Sequence, residues 1–124
     1  VKTMTHRRIH VVDAKILILG LTFKENCPDI RNTGVIDIIS SLEGYNANIH
    51  IYDPWVNKED AKRQLGYDLI SKPQKNGYDA IIIAVAHKQF IALGSEGIHA
   101  LGKASHVLYD AKHILPKNDV DARL

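Results

Sequence analysis

Apolar positions along this chain come in two rhythms: short dense runs, and longer stretches where they recur every three or four residues. Lys15-Ile16-Leu17-Ile18-Leu19-Gly20 is a continuous run stopped by glycine, the pattern of a strand buried on both faces of a parallel sheet. From Thr33 the period changes. Val35, Ile36, Ile38, Ile39 and Leu42 line one face of a helix, with Asn32 or Thr33 to cap it and Gly44 to stop it. Asn48 to Tyr52 predicts a second strand closed by Asp53-Pro54, and the charged stretch Asn57 to Leu65 an exposed helix ended by Gly66. Tyr67 to Ile70 predicts a short third strand, and Asp79 to Ala86 the strongest core strand. Lys88 to Leu93 and Glu96 to Leu101 read as helical pieces broken at Gly94-Ser95, and His106 to Asp110 as the last strand before a polar tail. Such alternation predicts an α/β fold: a Rossmann-like three-layer sandwich around a mostly parallel sheet of about five strands. Residues 1–14 read as a lead-in or linker and residues 15–124 as one domain.

Composition narrows the function classes. The chain has 124 residues, 45% hydrophobic and 24% charged, which is globular usage and excludes disorder. Sixteen Lys and Arg against fourteen Asp and Glu leave +2, too little for a nucleic-acid binder. The longest apolar run, Ala80 to Ala86, cannot span a bilayer, and the His/Arg-rich start lacks the apolar core of a signal peptide. One cysteine, Cys27, excludes an internal disulfide and fits a reducing cytoplasm. The chain begins at Val1 rather than Met, and a piece of a longer protein is expected.

In open α/β sheets, ligands bind beyond the carboxyl ends of the strands. The loop after the first strand runs from Gly20 through Phe23, Lys24, Cys27 and Arg31 to Thr33. It is not G-x-G-x-x-G, so an independent dinucleotide site is disfavoured, and it is no P-loop. Lys24, Arg31 and a helix N-terminus favour a phosphate there, with Phe23 against a base or sugar. The plainer alternative is a solvated loop with the phenyl ring tucked into the core. Cys27 has no definite base partner and reads as a packed residue. Asp53 stands where such folds put a ribose-binding carboxylate, and a turn or helix-capping role is expected at least as much. His87 reads as a hydrogen-bonded structural histidine, and Trp55 as a packing or interface residue. Seven histidines show no metal-ligand spacing, so no metal is expected.

The segment Gly20-Leu21-Thr22-Phe23-Lys24-Glu25-Asn26-Cys27-Pro28-Asp29-Ile30-Arg31 resembles the G-[LI]-[TA]-F-K-x-x-x-x-D-x-R signature of the UDP-glucose/GDP-mannose dehydrogenase family. Tyr52-Asp53-Pro54-Trp55, Ala84 to Phe90 and Tyr109 to Lys112 match in order, and the blocks are similar to the branch that oxidises UDP-N-acetylhexosamines for capsule and O-antigen synthesis. The resemblance implies the C-terminal UDP-binding domain of an NAD-dependent UDP-sugar 6-dehydrogenase, an oxidoreductase that turns the sugar C6 alcohol into a carboxylate through a cysteine on another domain. It implies that Phe23, Lys24 and Lys112 bind the UDP-sugar and that Arg31 reaches NAD held mainly by the missing N-terminal domain. Lys112 stands where the glucose branch has Arg, and His113 where the closer branch commonly has Gly. The implied partners are the NAD-binding and central helical domains of the same chain, in a homo-oligomer; no catalytic residue lies in this piece, which alone should be inactive. The rival expectation is a free-standing, non-catalytic nucleotide-binding or regulatory module.

Overall fold

A computed structural model describes residues 12–22, 24–30 and 34–123. In chain order the elements are β1 (Lys15–Leu19), α1 (Val35–Glu43), β2 (Asn48–Tyr52), α2 (Lys58–Leu65), β3 (Tyr78–Ile83), α3 (Lys88–His99), β4 (Gly102–Asp110), a single 3-10 turn (Lys117–Asp119) and β5 (Ala122–Arg123). The sheet order is β2-β1-β3-β4-β5 and every pairing is parallel.

Because side chains alternate along a strand, β1 feeds two cores. Ile16 and Ile18 face a cluster with Val35, Ile39 and Leu42 of α1 and Ala61 of α2. Leu17 and Leu19 face the other side, with Phe90 and Ile98 of α3 and Ile81, Ile83 and Leu108. The unbroken hydrophobicity of β1 follows from its place between β2 and β3, covered on both faces. The order reverses at β1, which sends its neighbours off in opposite directions and opens a crevice at the carboxyl ends of β1 and β3.

The helix ends follow the residues that stop them. Asn57 caps α2, its side chain accepting from the amides of Glu59 and Asp60, and Gly66 closes it in a left-handed conformation at φ 78°. Gly44 closes α1; the expected caps Asn32 and Thr33 lie outside the described residues. α3 joins the two expected helical pieces across Gly94, which sits at φ 66° and ψ 179°. No helix among the described residues is long and apolar enough to cross a membrane.

Three expectations need correction. Tyr67–Ile70 is no strand but a single bridge between Leu69 and Ile51, so four strands of five residues or more carry the sheet and the two-residue β5 only extends its edge. β4 begins at Gly102, before the expected His106, and is not the last strand. The two-residue β5 pairs with Tyr109 and Asp110 on its outer edge. β3 ends at Ile83, although burial continues through Ala84 and Val85. Those two amides turn aside to the Leu19 carbonyl, at 2.9 and 3.3 Å.

Candidate functional site

Among the described residues, the buried polar or charged side chains are Thr22, Asp53, His87 and Asp110. Each lies at or just past the carboxyl end of a different strand, β1 to β4 in turn. Burying a polar group is costly unless it is hydrogen-bonded. Polar burial is thus spent at one end of the sheet, and its partners show what it secures.

Asp53 follows β2 and reaches under the loop that leaves β1. Its Oδ2 accepts from the amides of Leu21 at 2.7 Å and Thr22 at 3.3 Å, and its Oδ1 from the Trp55 amide at 2.8 Å. The His87 Nε2 lies 2.9 Å from the same Oδ2, while the Asn26 amide donates to His87 Nδ1 at 2.8 Å. A backbone N–H can only donate, so Nδ1 is bare and the ring proton sits on Nε2, directed at Asp53. The Thr22 hydroxyl donates to the Lys24 carbonyl at 2.8 Å and lies 3.2 Å from His87 Nε2. Asn26, held at φ 55°, also accepts the Lys88 amide on its side-chain oxygen at 2.8 Å, capping α3 from the loop. The loop begins at Gly20 with φ 104°, where a Cβ would stand 2.6 Å from the Val85 Cβ. Only glycine lets β1 turn this close to β3.

Asp110 does the same for the loop after β4. Fully buried, it accepts from the amides of Lys112 at 3.0 Å and Leu115 at 2.9 Å. Lys24 and Lys112 are both exposed, on loops from strands two places apart in the sheet, about 10 Å at the strand level. Exposed Lys88 opens α3 between them. Three lysines thus rim the carboxyl end, an arrangement that favours an anion.

Phe23 and Arg31 lie outside the described residues. Cys27 is a free, half-buried thiol within the loop. Trp55 is fixed by its indole N–H donating to Gln89 Oε1 at 2.9 Å, with the Lys88 ammonium 5.3 Å from its ring centre. It lines a cleft of about 250 Å³ with Ile30, Val56, Asn57 and Gln64. Of the two readings open for Asp53, the turn role is what the structure holds: both carboxylate oxygens are taken by the chain itself. The β1 turn therefore does not fit a dinucleotide, since Asp53 occupies the amides of Leu21 and Thr22 that a pyrophosphate would need. The sequence reading passed over Asn26 and Asp110. Asparagine in a tight loop, where a left-handed residue is tolerated, and a strand-ending aspartate followed by a turn were the available signals.

A family model, "UDP-glucose/GDP-mannose dehydrogenase family, UDP binding domain", matches residues 17–117. The chain is 52% identical over 124 residues to a UDP-N-acetyl-D-glucosamine 6-dehydrogenase of Pseudomonas aeruginosa, and 48% identical over the same length to one of Salmonella typhi. Both alignments cover 100% of this chain and 29% of the relative. The chain therefore spans less than a third of the length of these curated relatives. In fold it is similar to an NDP-N-acetyl-D-galactosaminuronic acid dehydrogenase from Methanosarcina mazei, with a TM-score of 0.82 at 19% identity over 95% of this chain and 24% of that one.

Proposed function

The chain belongs to the UDP-glucose/GDP-mannose dehydrogenase family as its UDP-binding domain, and from that premise we propose that it grips the UDP part of a UDP-sugar for a longer NAD-dependent 6-dehydrogenase of surface-polysaccharide synthesis. Residues 15–124 form the UDP-sugar domain, and residues 1–14 lead in from the rest of the enzyme. Lys24 and Lys112 take the diphosphate from two sides, Phe23 lies against the nucleoside or sugar, and Arg31 faces the cofactor across the domain cleft. NAD, held by the rest of the enzyme, accepts hydride from the sugar C6. The part played by this chain is alignment: it fixes one end of the substrate so that C6 meets groups it does not itself carry. The enzyme is a cytoplasmic homo-oligomer on this reading, in keeping with a single reduced cysteine.

The observation that carries the reading is the paired construction of the two lysine-bearing loops, each anchored by a buried aspartate at its root. A loop held in shape before the ligand arrives loses less freedom on binding. Titration calorimetry on the chain with UDP and with NAD tests it. UDP should bind weakly, at about 0.1–1 mM, because part of the site lies on other domains, and NAD more weakly still. NAD binding tighter than UDP would overturn the proposal.

A further inference from the structure

Resting on the reading that Lys24 meets the diphosphate, we infer that His87 is a positioning residue for that lysine, acting through the loop backbone and not by touching the ligand. The ring is fully buried, so a bound nucleotide in the crevice cannot contact it. What it touches are the two fastenings of the loop. Toward β2 its Nε2 proton meets Asp53, which already holds the amides of Leu21 and Thr22. Toward the far side of the loop its Nδ1 takes the amide of Asn26. Between these fastenings stands Lys24, whose carbonyl is tied back to the Thr22 hydroxyl.

Strand order gives the device its strength. β1 lies between β2 and β3, Asp53 follows β2, and His87 follows β3 and opens α3. The loop leaving β1 is therefore held from both neighbouring strands, and His87 joins the two holds. Asn26 returns the connection by capping α3 at Lys88. A flexible side chain in place of the ring would leave the far side of the loop loose, and Lys24 would have to be ordered at the moment of binding.

The test follows nitrogen-15 spectra of the imidazole and nuclear magnetic resonance titrations with UDP. The wild-type ring should show a protonated Nε2 and a bare Nδ1. Lys24→Ala should weaken UDP about tenfold or more, the loss expected for a charged hydrogen bond. His87→Gln keeps a donor toward Asp53 and gives up the acceptor for Asn26. It should weaken UDP roughly fivefold and speed hydrogen exchange at the Asn26 amide, while the double variant binds like Lys24→Ala alone, because coupled residues do not add. His87→Asn places an oxygen near the Nδ1 position and should restore part of the Asn26 protection. Additive losses in the double variant, or a ring protonated at Nδ1 in the wild type, would overturn the positioning role while leaving the function standing. A wild-type chain that does not bind UDP would overturn the function instead, and the ring tautomer and Asn26 exchange would still judge the clamp.

Discussion

The two ends of the sheet use histidine in opposite ways. At the carboxyl end, His87 is enclosed, and its one ring proton and one lone pair are both satisfied by a carboxylate and an amide. At the other end, His99 closes α3 and His106 lies in β4, both half-buried. His99 Nε2 meets the Asp119 carbonyl at 2.6 Å, and His106 Nδ1 meets the Lys103 carbonyl at 2.7 Å. Carbonyls accept only, so both outer nitrogens donate, and the two rings meet through their inner nitrogens, 2.7 Å apart. The far pair is thus held ring to ring near water, whereas the near ring is held between a carboxylate and an amide in the interior. One end fixes the shape of a ligand loop; the other fastens the segment Lys117–Asp121 to α3 and β4. The same residue type is a rigid spacer where solvent is excluded and a ring-to-ring clasp where it is not.

The largest effect that could break this contrast lies at Asp53. In Asp53→Ala the Leu21, Thr22 and Trp55 amides and the His87 ring lose their shared acceptor inside the protein. Removing one partner of a buried pair costs about 3–5 kcal/mol, and urea unfolding should show a loss of that size. A loss below about 1 kcal/mol would mean that the carboxyl end is not built around this carboxylate.

A smaller effect separates the two ends directly. Between the Tyr78–Gly102 and Ala80–Val107 pairs one residue of β3, Asp79, runs opposite four of β4, Lys103 to His106, so β4 bulges and His106 folds back over Gly102. A Cβ at Gly102 would stand 2.3 Å from the His106 ring. Gly102→Ala should therefore expel the ring and undo the His99 contact, at about 1–3 kcal/mol by the measure of overpacked sites. UDP affinity should not change, because the bulge is at the opposite end from the lysines. A parallel loss of UDP binding would mean that the two ends are coupled.

Local pattern made the regular parts legible. β2 appears over the expected residues, and Gly66 and Gly44 end their helices, because each rests on neighbours in sequence. What eluded the sequence depends on distant residues. β5 has no apolar period of its own; it exists because Asp121 binds the Leu108 amide at 2.8 Å and brings the chain alongside β4. The apolar run continues past the end of β3 because Ala84 and Val85 are buried under the β1 turn, and burial outlasts the ladder. His87 was legible as structural, but its link to Asp53 crosses 34 residues. No local signal told that the carboxylate faces inward rather than toward a ribose.

The smallest expected effect belongs to a third histidine, His50 of β2, and sharpens the contrast through pH. Its Nδ1 lies 3.0 Å from the Tyr78 hydroxyl, which also accepts the Gln74 amide and has its own phenolic proton free to share with His50. Burial raises the Tyr78 pKa and keeps that proton in place. Burial first, and the Lys15 ammonium second, lower the His50 pKa from its ordinary 6.5. The unfolded chain therefore takes up a proton before the folded one as pH falls, and linkage makes folding less favourable in acid. This contribution is complete above the unfolded value and is lost as pH drops through 6.5 toward the lower folded value. His50→Asn keeps an acceptor for Tyr78 and removes the titration, so its stability should fall less between pH 7 and 5 than that of the wild type. Equal slopes in the two proteins would place the acid sensitivity elsewhere, and an unchanged pH profile combined with a lower melting temperature would reduce His50 to a packing role.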